Sequence, residues 1–566
     1  MKIIVEPTKY SKYAVESEFS MDLLEFFRYI KDKIGFKNFN FNSENKKWSF
    51  NDMIIVDMIK NKYSELEIDE AVEDDWKEYL IKKAEKQLIV DKADKLKTKT
   101  TSDLVVKGIK GKLYDFQKIG VQFLINSNGR AIINSEMGTG KSAQSLAYLV
   151  NEKINKTLII TPASVKWAFF NEVEKWTKLK PFVIDSKTKF TIDIFNENNV
   201  FIINYDILKK FFVQLTNFRF ECLIIDEVQK IKSQKAIRSK LTKQIAKRIP
   251  KVIMLTGSLM LSRPSELFNP LNILDPFVWS NWRYFTKKYC DGHDDYWGYN
   301  FSGVSNIDEL KQRINKYYIR HLKEDVLKDL PKKVFIDIPI ELDNEYRFEY
   351  DLALNSFVEY LRDVKEKNTA EIRKSLQAKK LVKLNELRQI ATNGKINTIK
   401  ELTKDIIEND KKVIIFSSYN EPLKKLYEEF GDTAVLLIGE TPEFIRKANI
   451  SAFQNKPNVK IFLCGFLSGG VGINLTKASC IILSDFPWNP SDISQAYSRA
   501  HRIGNEAESI NIYQIIARNT IDTKIKSILK NKQVLIDKLF KEDKVQKIKS
   551  TSIIGDLIKE IQKNNI

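Results

Sequence analysis

The sequence predicts an α/β protein with two separate parallel-sheet units, helical insertions, and a small domain in front. Three observations carry that expectation. Apolar runs of four to five residues recur at 131–134, 157–161, 199–203, 222–225 and 252–255, with amphipathic stretches between them. A strand buried on both faces reads as such a run, and strands alternating with helices build a parallel sheet. After a helical, charged stretch over 341–408 the same rhythm resumes at 413–416, 434–438, 460–464, 480–483 and 510–515. Finally, 566 residues are too many for one core, so two to four domains are expected.

Taken in order, residues 1–60 form a small aromatic-rich domain holding Phe36, Phe39, Phe41, Trp48 and Phe50. Its 38–50 stretch is mixed and turn-rich, and 53–59 has a helical pattern. Residues 61–104 read as a charged helical linker whose periodicity fades near 90, leaving an exposed Lys/Thr-rich stretch at 92–103. The first α/β unit spans 105–335, with helices at 141–152 and 165–176 between its strands. A helical insertion follows over 336–408, then the second α/β unit over 409–530 and a basic helical tail over 531–566. No fixed-period repeat is present.

The chain has 93 Lys and Arg against 74 Asp and Glu, a formal net charge of +19. An excess of this size suits a polyanion, nucleic acid being the usual one. A Lys-, Asn- and Ile-rich composition also arises from an AT-rich genome, so charge alone leaves both origins open. The four cysteines, Cys222, Cys290, Cys464 and Cys480, are scattered without a CxxC pair, and the three histidines have no ligand spacing. Buried thiols in a reducing cytosol are expected, not a zinc site or a disulfide framework. No apolar run reaches membrane-span length, and the N-terminus lacks a signal-peptide core, so the expectation is a soluble, cytoplasmic protein without a membrane partner.

The most informative segment is SEMGTGKS at 135–142. An apolar run, a glycine-bearing loop, and then Lys141 and Ser142 opening a helix form a phosphate-binding arrangement. The helix N-terminus offers unpaired N–H groups and the positive end of its dipole to an anion. Glycines admit the phosphates to the backbone, Lys141 adds charge, and the Ser142 hydroxyl can ligate Mg²⁺. The strict motif opens on Gly where this chain has Ser135. Downstream, the apolar run of CLIIDEVQ at 222–229 ends in Asp226 and Glu227. Carboxylates at the carboxyl end of a buried parallel strand lie where open α/β sheets bind ligands. Asp226 would hold Mg²⁺ and Glu227 would orient a water for attack on a γ-phosphate.

The second unit has no phosphate loop of its own. Its segment QAYSRAHRIGN at 495–505 places Arg499 and Arg502 three apart on an expected helix, where they can reach one target. If they face an ATP held at Lys141, they stabilise the charge of phosphoryl transfer.

At these residues the chain resembles the Swi/Snf family of superfamily-two DNA translocases. LYDFQKIGVQFL at 113–124 resembles the adenine-reading motif, and SEMGTGKS is similar to the family's DEMGLGKT. TPASVKWAFFNEVEKW at 161–176, DEVQKIKS at 226–233, LTGSLMLSRPSELF at 255–268 and IRHLKEDVLKDLPKK at 319–333 follow in family order. VIIFSSY at 413–419, GGVGINLTKAS at 469–479, DFPWNP at 485–490 and the arginine motif complete the set, which covers roughly 113–530. KKYCDG at 287–292, with Gly298 and the helix start at 306–310, resembles the annealing-helicase subgroup, as does NYDILKK at 204–210. The stretch around Trp48 and Phe50 resembles that subgroup's small HARP module.

The resemblance implies two RecA-like lobes with ATP and Mg²⁺ as cofactors. Gln117 is implied to read adenine. Met137, Gly138, Thr139, Gly140, Lys141 and Ser142 are implied to hold the phosphates, and Ser142 and Asp226 the metal. Gly472 and Gln495 are implied to support Arg499 and Arg502 from the second lobe. DNA contacts are implied for Thr161, Lys166, Trp167, Ser417, Ser418 and Asn474. Hydroxyls and backbone amides at strand ends suit sequence-independent phosphate contacts.

The chain departs from the family pattern at Ser135 (usually Asp), Gln229 (His), Leu259 (Pro), Ser262 (Asn) and Asn505 (Gln). The changes at 229, 259 and 505 fall where ATP and DNA events are coupled, and so bear on coupling more than on hydrolysis. The expected function is an ATP-dependent translocase on duplex or forked DNA that remodels or reanneals it, coupling ATP hydrolysis to lobe closure: ATP closes the lobes and hydrolysis reopens them. The alternatives are the same motor displacing DNA-bound proteins such as a stalled polymerase, with replication or transcription proteins as partners, and a DNA-binding scaffold with a silent ATPase. Composition suggests a nucleoid-associated protein of a low-GC bacterium or its virus. The basic stretches at 362–383 and 520–549 read either as DNA contacts or a brace that regulates lobe closure, or as solvated faces.

Overall fold

The computed structural model describes residues 3–8, 11–17, 20–34, 39–43, 46–295, 298–366, 370–466, 468 and 473–540. Phe36, Gly472 and the expected tail beyond 540 lie outside these residues. The chain divides into two compact units. One comprises Met1–Asn134, Ser142–Thr161 and Phe170–Arg320; the other comprises Ser135–Lys141, Pro162–Phe169 and the chain from His321 onward.

The first unit contains two principal sheets. Near the N-terminus, five strands run in the order Phe39–Asn42, Lys47–Phe50, Tyr13–Ser17, Ile3–Pro7 and Leu66–Ile68. The first four pair antiparallel and the last pairs parallel. The helix Met21–Ile34 buries Leu23, Phe27, Ile30 and Ile34, spaced to form one face. Phe27 packs edge-on against Phe39 and Trp48, which stack on each other at 4.9 Å between centroids. Only the aromatic residues of this sheet were legible in the sequence, because strands this short, broken by turns, leave no continuous run. The helix Glu70–Lys97 follows, its N-terminus capped by the Asp69 carboxylate accepting from the Ala71 N–H. It continues through the start of the stretch expected as an exposed linker and ends by donating from the Lys97 ammonium to Asn315.

The larger sheet of this unit has seven strands: Tyr318–Ile319, Arg130–Ile133, Lys251–Leu255, Cys222–Asp226, Thr157–Thr161, Val200–Asn204 and Pro181–Val183. Every pairing is parallel. The five apolar runs of the sequence are its five central strands. The two short edge strands were not expected, since neither has a run long enough to register.

In the second unit, six parallel strands run in the order Lys332–Ile340, Ser509–Ala517, Cys480–Leu483, Val413–Ser417, Ile461–Gly465 and Ala434–Leu437. The border strand Lys332–Ile340 is an addition to the expected set. Its signal is the alternation of Ile336, Ile338 and Ile340, half-buried between exposed neighbours, rather than a continuous apolar run. Three helices, Asn344–Glu366, Ala370–Asn393 and Ile396–Glu408, fill the stretch read as helical. Two buried ion pairs anchor them: Arg388 to Asp485, just after the strand Cys480–Leu483, at 3.2 Å, and Lys395 to Asp522 on the helix Ile521–Phe540. All four cysteines are buried thiols. No helix among the described residues is long and apolar enough to cross a membrane.

Candidate active site

The phosphate-loop segment connects the strand Arg130–Ile133 to the helix Lys141–Asn151. Gly138 and Gly140 have φ of +82° and +77°, a left-handed conformation that a side chain would strain. A Cβ on Gly138 would also lie 3.2 Å from Arg502 Cγ and 3.4 Å from Lys323 Cε. Left-handed residues alternating with right-handed ones at a helix start make the backbone cradles that hold anions. The Lys141 ammonium donates to the Ser135 and Glu136 carbonyls at 3.0 and 3.2 Å, lying over its own loop. The Thr139 hydroxyl donates to the Glu136 carbonyl.

Ser135 is buried, and its hydroxyl accepts from the His321 N–H at 3.1 Å and pairs with His321 Nδ1 at 3.3 Å. Burial pushes the His321 imidazole down to about 4, so it is neutral at physiological pH. A neutral hydroxyl against a neutral imidazole is the local reason that Ser is accommodated where the family has Asp.

In the first unit, parallel register sets the carboxyl end of the central strand Cys222–Asp226 between those of Thr157–Thr161 and Lys251–Leu255. The Thr161 hydroxyl donates to Asp226 Oδ2 at 2.9 Å. The Tyr205 hydroxyl donates to the Asp226 carbonyl at 2.6 Å. Glu227 follows with φ +51°, a left-handed residue that is not glycine, and is nearly buried. Strain of this kind, roughly 1–3 kcal/mol, persists where the surroundings over-determine it. Gln229 connects two elements: its amide donates to Glu227 Oε2, and its Oε1 accepts from the Thr256 hydroxyl at 2.8 Å. The Glu–Gln–Thr chain joins the acidic turn to the end of the strand Lys251–Leu255.

Ser142 stands in the first turn of its helix. Gln117 is buried on the helix Asp115–Asn126, and its Oε1 accepts from the Tyr114 N–H at 3.0 Å, closing that helix's cap. The hydroxyl of Ser142 and the carboxylate of Asp226 are hard oxygen donors of the kind Mg²⁺ takes. The glycine geometry, the helix start and Lys141 together suit a triphosphate. The donor set therefore fits Mg²⁺ and a nucleotide.

The second unit brings the loop 135–141 to the arginine segment. Arg499 is 4 % exposed, and its Nη2 lies 3.9 Å from Met137 Sδ. Arg502 lies against Gly138. The expected helix does not reach these arginines: it ends at Tyr497, and the chain continues in turns closed by Ala500 and His501 N–H groups on the Tyr497 carbonyl. The left-handed Gly504 follows. Gln495 lies on the helix Pro490–Tyr497, half-exposed.

The expected DNA contacts separate into two groups. Lys166 is half-buried, while Trp167 is exposed at the head of the helix Lys166–Trp176, and Ser418 and Asn474 are exposed too. Thr161 and Ser417 are buried, the first committed to Asp226 and the second accepting from the Tyr419 N–H. The unusual residues are well seated. The Ser262 hydroxyl and N–H both donate to Glu266, and the Leu259 N–H donates to Asn134 Oδ1. The Asn505 amide donates to the Ala478 and Ala500 carbonyls. Lys323, beside the loop, was missed: it lies in a basic segment where nothing in the sequence marks one lysine as buried.

Residues 116–396 match the SNF2-related domain model and 394–504 match the helicase conserved C-terminal domain. The DNA annealing helicase and endonuclease ZRANB3 of Bos taurus is 29 % identical over 446 residues, covering 76 % of this chain and 41 % of that protein. The SWI/SNF-related matrix-associated actin-dependent regulator of chromatin subfamily A-like protein 1 of Drosophila melanogaster is 31 % identical over 457 residues, covering 77 % and 57 %. An uncharacterized ATP-dependent helicase of Mycoplasma pneumoniae is 29 % identical over 448 residues, covering 76 % and 42 %. The chain thus spans 41 % to 57 % of the length of these relatives. Among solved structures, the Sulfolobus solfataricus SWI2/SNF2 ATPase core in complex with dsDNA is 23 % identical, with a TM-score of 0.39, covering 77 % of this chain and 94 % of that one.

Proposed function

The chain belongs to the SNF2-related, or Swi/Snf, family, and from that membership we propose that it is a DNA-dependent ATPase that translocates on duplex or forked DNA and remodels or reanneals it. The observation that carries this reading is the approach of Arg499 to Met137 and of Arg502 to Gly138, which sets two guanidinium groups at the phosphate loop. The relatives named as annealing helicases favour DNA reannealing as the outcome of the motor.

Each residue has a defined task. Gln117 reads the adenine edge. The backbone of 137–142 and the Lys141 ammonium hold the triphosphate. Ser142 and Asp226 hold Mg²⁺, which when bound neutralises phosphate charge. Glu227 orients the attacking water, and the fixed left-handed turn at this residue aims its carboxylate. Gln229 carries a change at Glu227 to Thr256. Arg499 and Arg502 stabilise charge that develops on the phosphoryl oxygens. Trp167, Ser418 and Asn474 present groups to the DNA backbone, and the excess of positive charge makes that binding salt-sensitive and indifferent to sequence.

ATP turnover measured without DNA and with single-stranded, duplex and forked DNA tests the proposal. Turnover is expected to rise with duplex or forked DNA. Lys141→Ala and Glu227→Gln are each expected to cut the stimulated rate by about two orders of magnitude or more. A rate indifferent to DNA and to both substitutions would sink it.

A further inference from the structure

Lys323 is the first residue of the short helix Lys323–Val326 and is 2 % exposed. Its ammonium donates to the His501 carbonyl, one acceptor for a group with three donors. Among the described residues no ion pair holds it. Glu136, the acid that acts on it, uses Oε2 to accept the Lys323 backbone N–H. The other charges acting on it are Arg502, Lys141 and Lys333, all positive. A buried ammonium without a counter-ion costs several kcal/mol, and like charges add to that cost. A fold retains such a group readily where an anion visits it.

The position of the group says which anion. Lys323 Cε and the Arg502 side chain both flank the point where a Cβ would project from Gly138, at 3.4 and 3.2 Å. Lys141 opens the helix three residues further along the same loop, and its charge acts on Lys323. Two cations therefore flank one glycine of a phosphate cradle, and a third, Lys141, belongs to the same loop. The ordinary phosphate loop needs only one of them.

We propose that Lys323 forms a terminal-phosphate subsite, its ammonium pairing with the γ-phosphoryl oxygens of a nucleoside triphosphate held by the loop. Without a γ-phosphate, the ammonium rests on the His501 carbonyl, one residue from Arg502. Lys323 thereby distinguishes triphosphate from diphosphate and transmits the difference to the arginine segment. Burial holds its pKa at about 7, and an entering phosphate dianion raises it, so binding is accompanied by proton uptake. The inference rests on the ATPase reading above.

The test is calorimetric titration of the full chain with Mg²⁺ and either ADP or β,γ-imido-ATP, together with melting curves without nucleotide. Lys323→Met and Lys323→Gln are expected to weaken the triphosphate analogue by about 10- to 100-fold, the worth of a charged hydrogen bond, and ADP far less. Because both remove a buried charge, their melting temperatures without nucleotide are expected to hold or rise. Lys323→Arg keeps the charge and is expected to preserve most of the discrimination between the two nucleotides. Equal loss of both nucleotides, unchanged affinity for both, or a lowered melting temperature with affinity intact would overturn the subsite and leave Lys323 a structural tie. If the unsubstituted chain bound neither nucleotide, the ATPase reading would fall, and the subsite with it.

Discussion

At the residue scale, two side chains, Gln229 and Lys323, set testable local chemistry in this site. Gln229 stands where His is usual, yet its amide joins Glu227 to Thr256 through one donor and one acceptor. A neutral histidine could do the same only in one tautomer, whereas an amide always offers both. Gln229→Ala is therefore expected to lower DNA-stimulated turnover by about tenfold or more, while nucleotide affinity changes little, because the lost bond is to the carboxylate proposed to orient water. Stopped-flow phosphate release beside equilibrium nucleotide binding separates the two. Lys323 makes stability depend on pH. Its folded pKa is about 7 against an ordinary 10.5, so between those values the folded chain binds fewer protons than the unfolded one. This group's contribution to stability therefore rises as pH increases from about 7 towards 10.5, and its penalty is full below 7. Denaturant midpoints of the unsubstituted chain and Lys323→Met, compared from pH 6 to 9, are expected to converge as pH rises.

At the element scale, the buried pair Arg388–Asp485 joins the helix Ala370–Asn393 to the segment after the strand Cys480–Leu483. Arg388 also donates to the Phe486 carbonyl and lies 4.5 Å from the Trp488 ring centroid, while Asp485 Oδ1 accepts the Ser418 N–H. Removing either partner leaves the other charge buried, so Arg388→Ala is expected to cost about 3–5 kcal/mol, read as a shift in denaturant midpoint. Elements of this kind also show what a sequence makes legible. Central parallel strands are apolar on both faces, and their bounds could be read from 131–134 or 222–225 almost to the residue. Strands with one wet face, such as Lys332–Ile340, encode themselves by alternation and were passed over. The helix expected under Arg499 and Arg502 gave way to turns, because the 3.6-residue pattern cannot register where backbone hydrogen bonds change partner. Lys141, Asp226 and the arginines were legible because the chemistry proposed for them needs fixed spacing. The support from His321, Tyr205 and Lys323 was not, since contacts far apart in the chain leave no local pattern.

At the scale of the whole molecule, the net charge of +19 sets the response to salt. If six or more phosphates are neutralised, raising salt from about 50 to about 200 mM is expected to weaken DNA binding about a thousandfold, with a linear double-logarithmic plot. A flat plot would mean the charge is a compositional by-product. The N-terminal region is attached to the rest of its unit through its helices: the Ser280 and Asn281 side chains donate to the Ile34 and Asp32 carbonyls, and Lys97 donates to Asn315. Deleting 1–69 is expected to leave the melting temperature of the α/β remainder nearly unchanged. Deleting 1–104 also removes buried Leu96 and the Lys97 tie, and is expected to lower it by several degrees. Among the described residues the long border strand Lys332–Ile340 meets one neighbour in its sheet, and Phe335 and Val334 are exposed along it. A ribbon edge of that length is a template for self-stacking into fibres, and Lys332, Lys333, Asp337 and the ring of Pro339 stand along it as gatekeepers whose loss would be felt as precipitation rather than as lost catalysis.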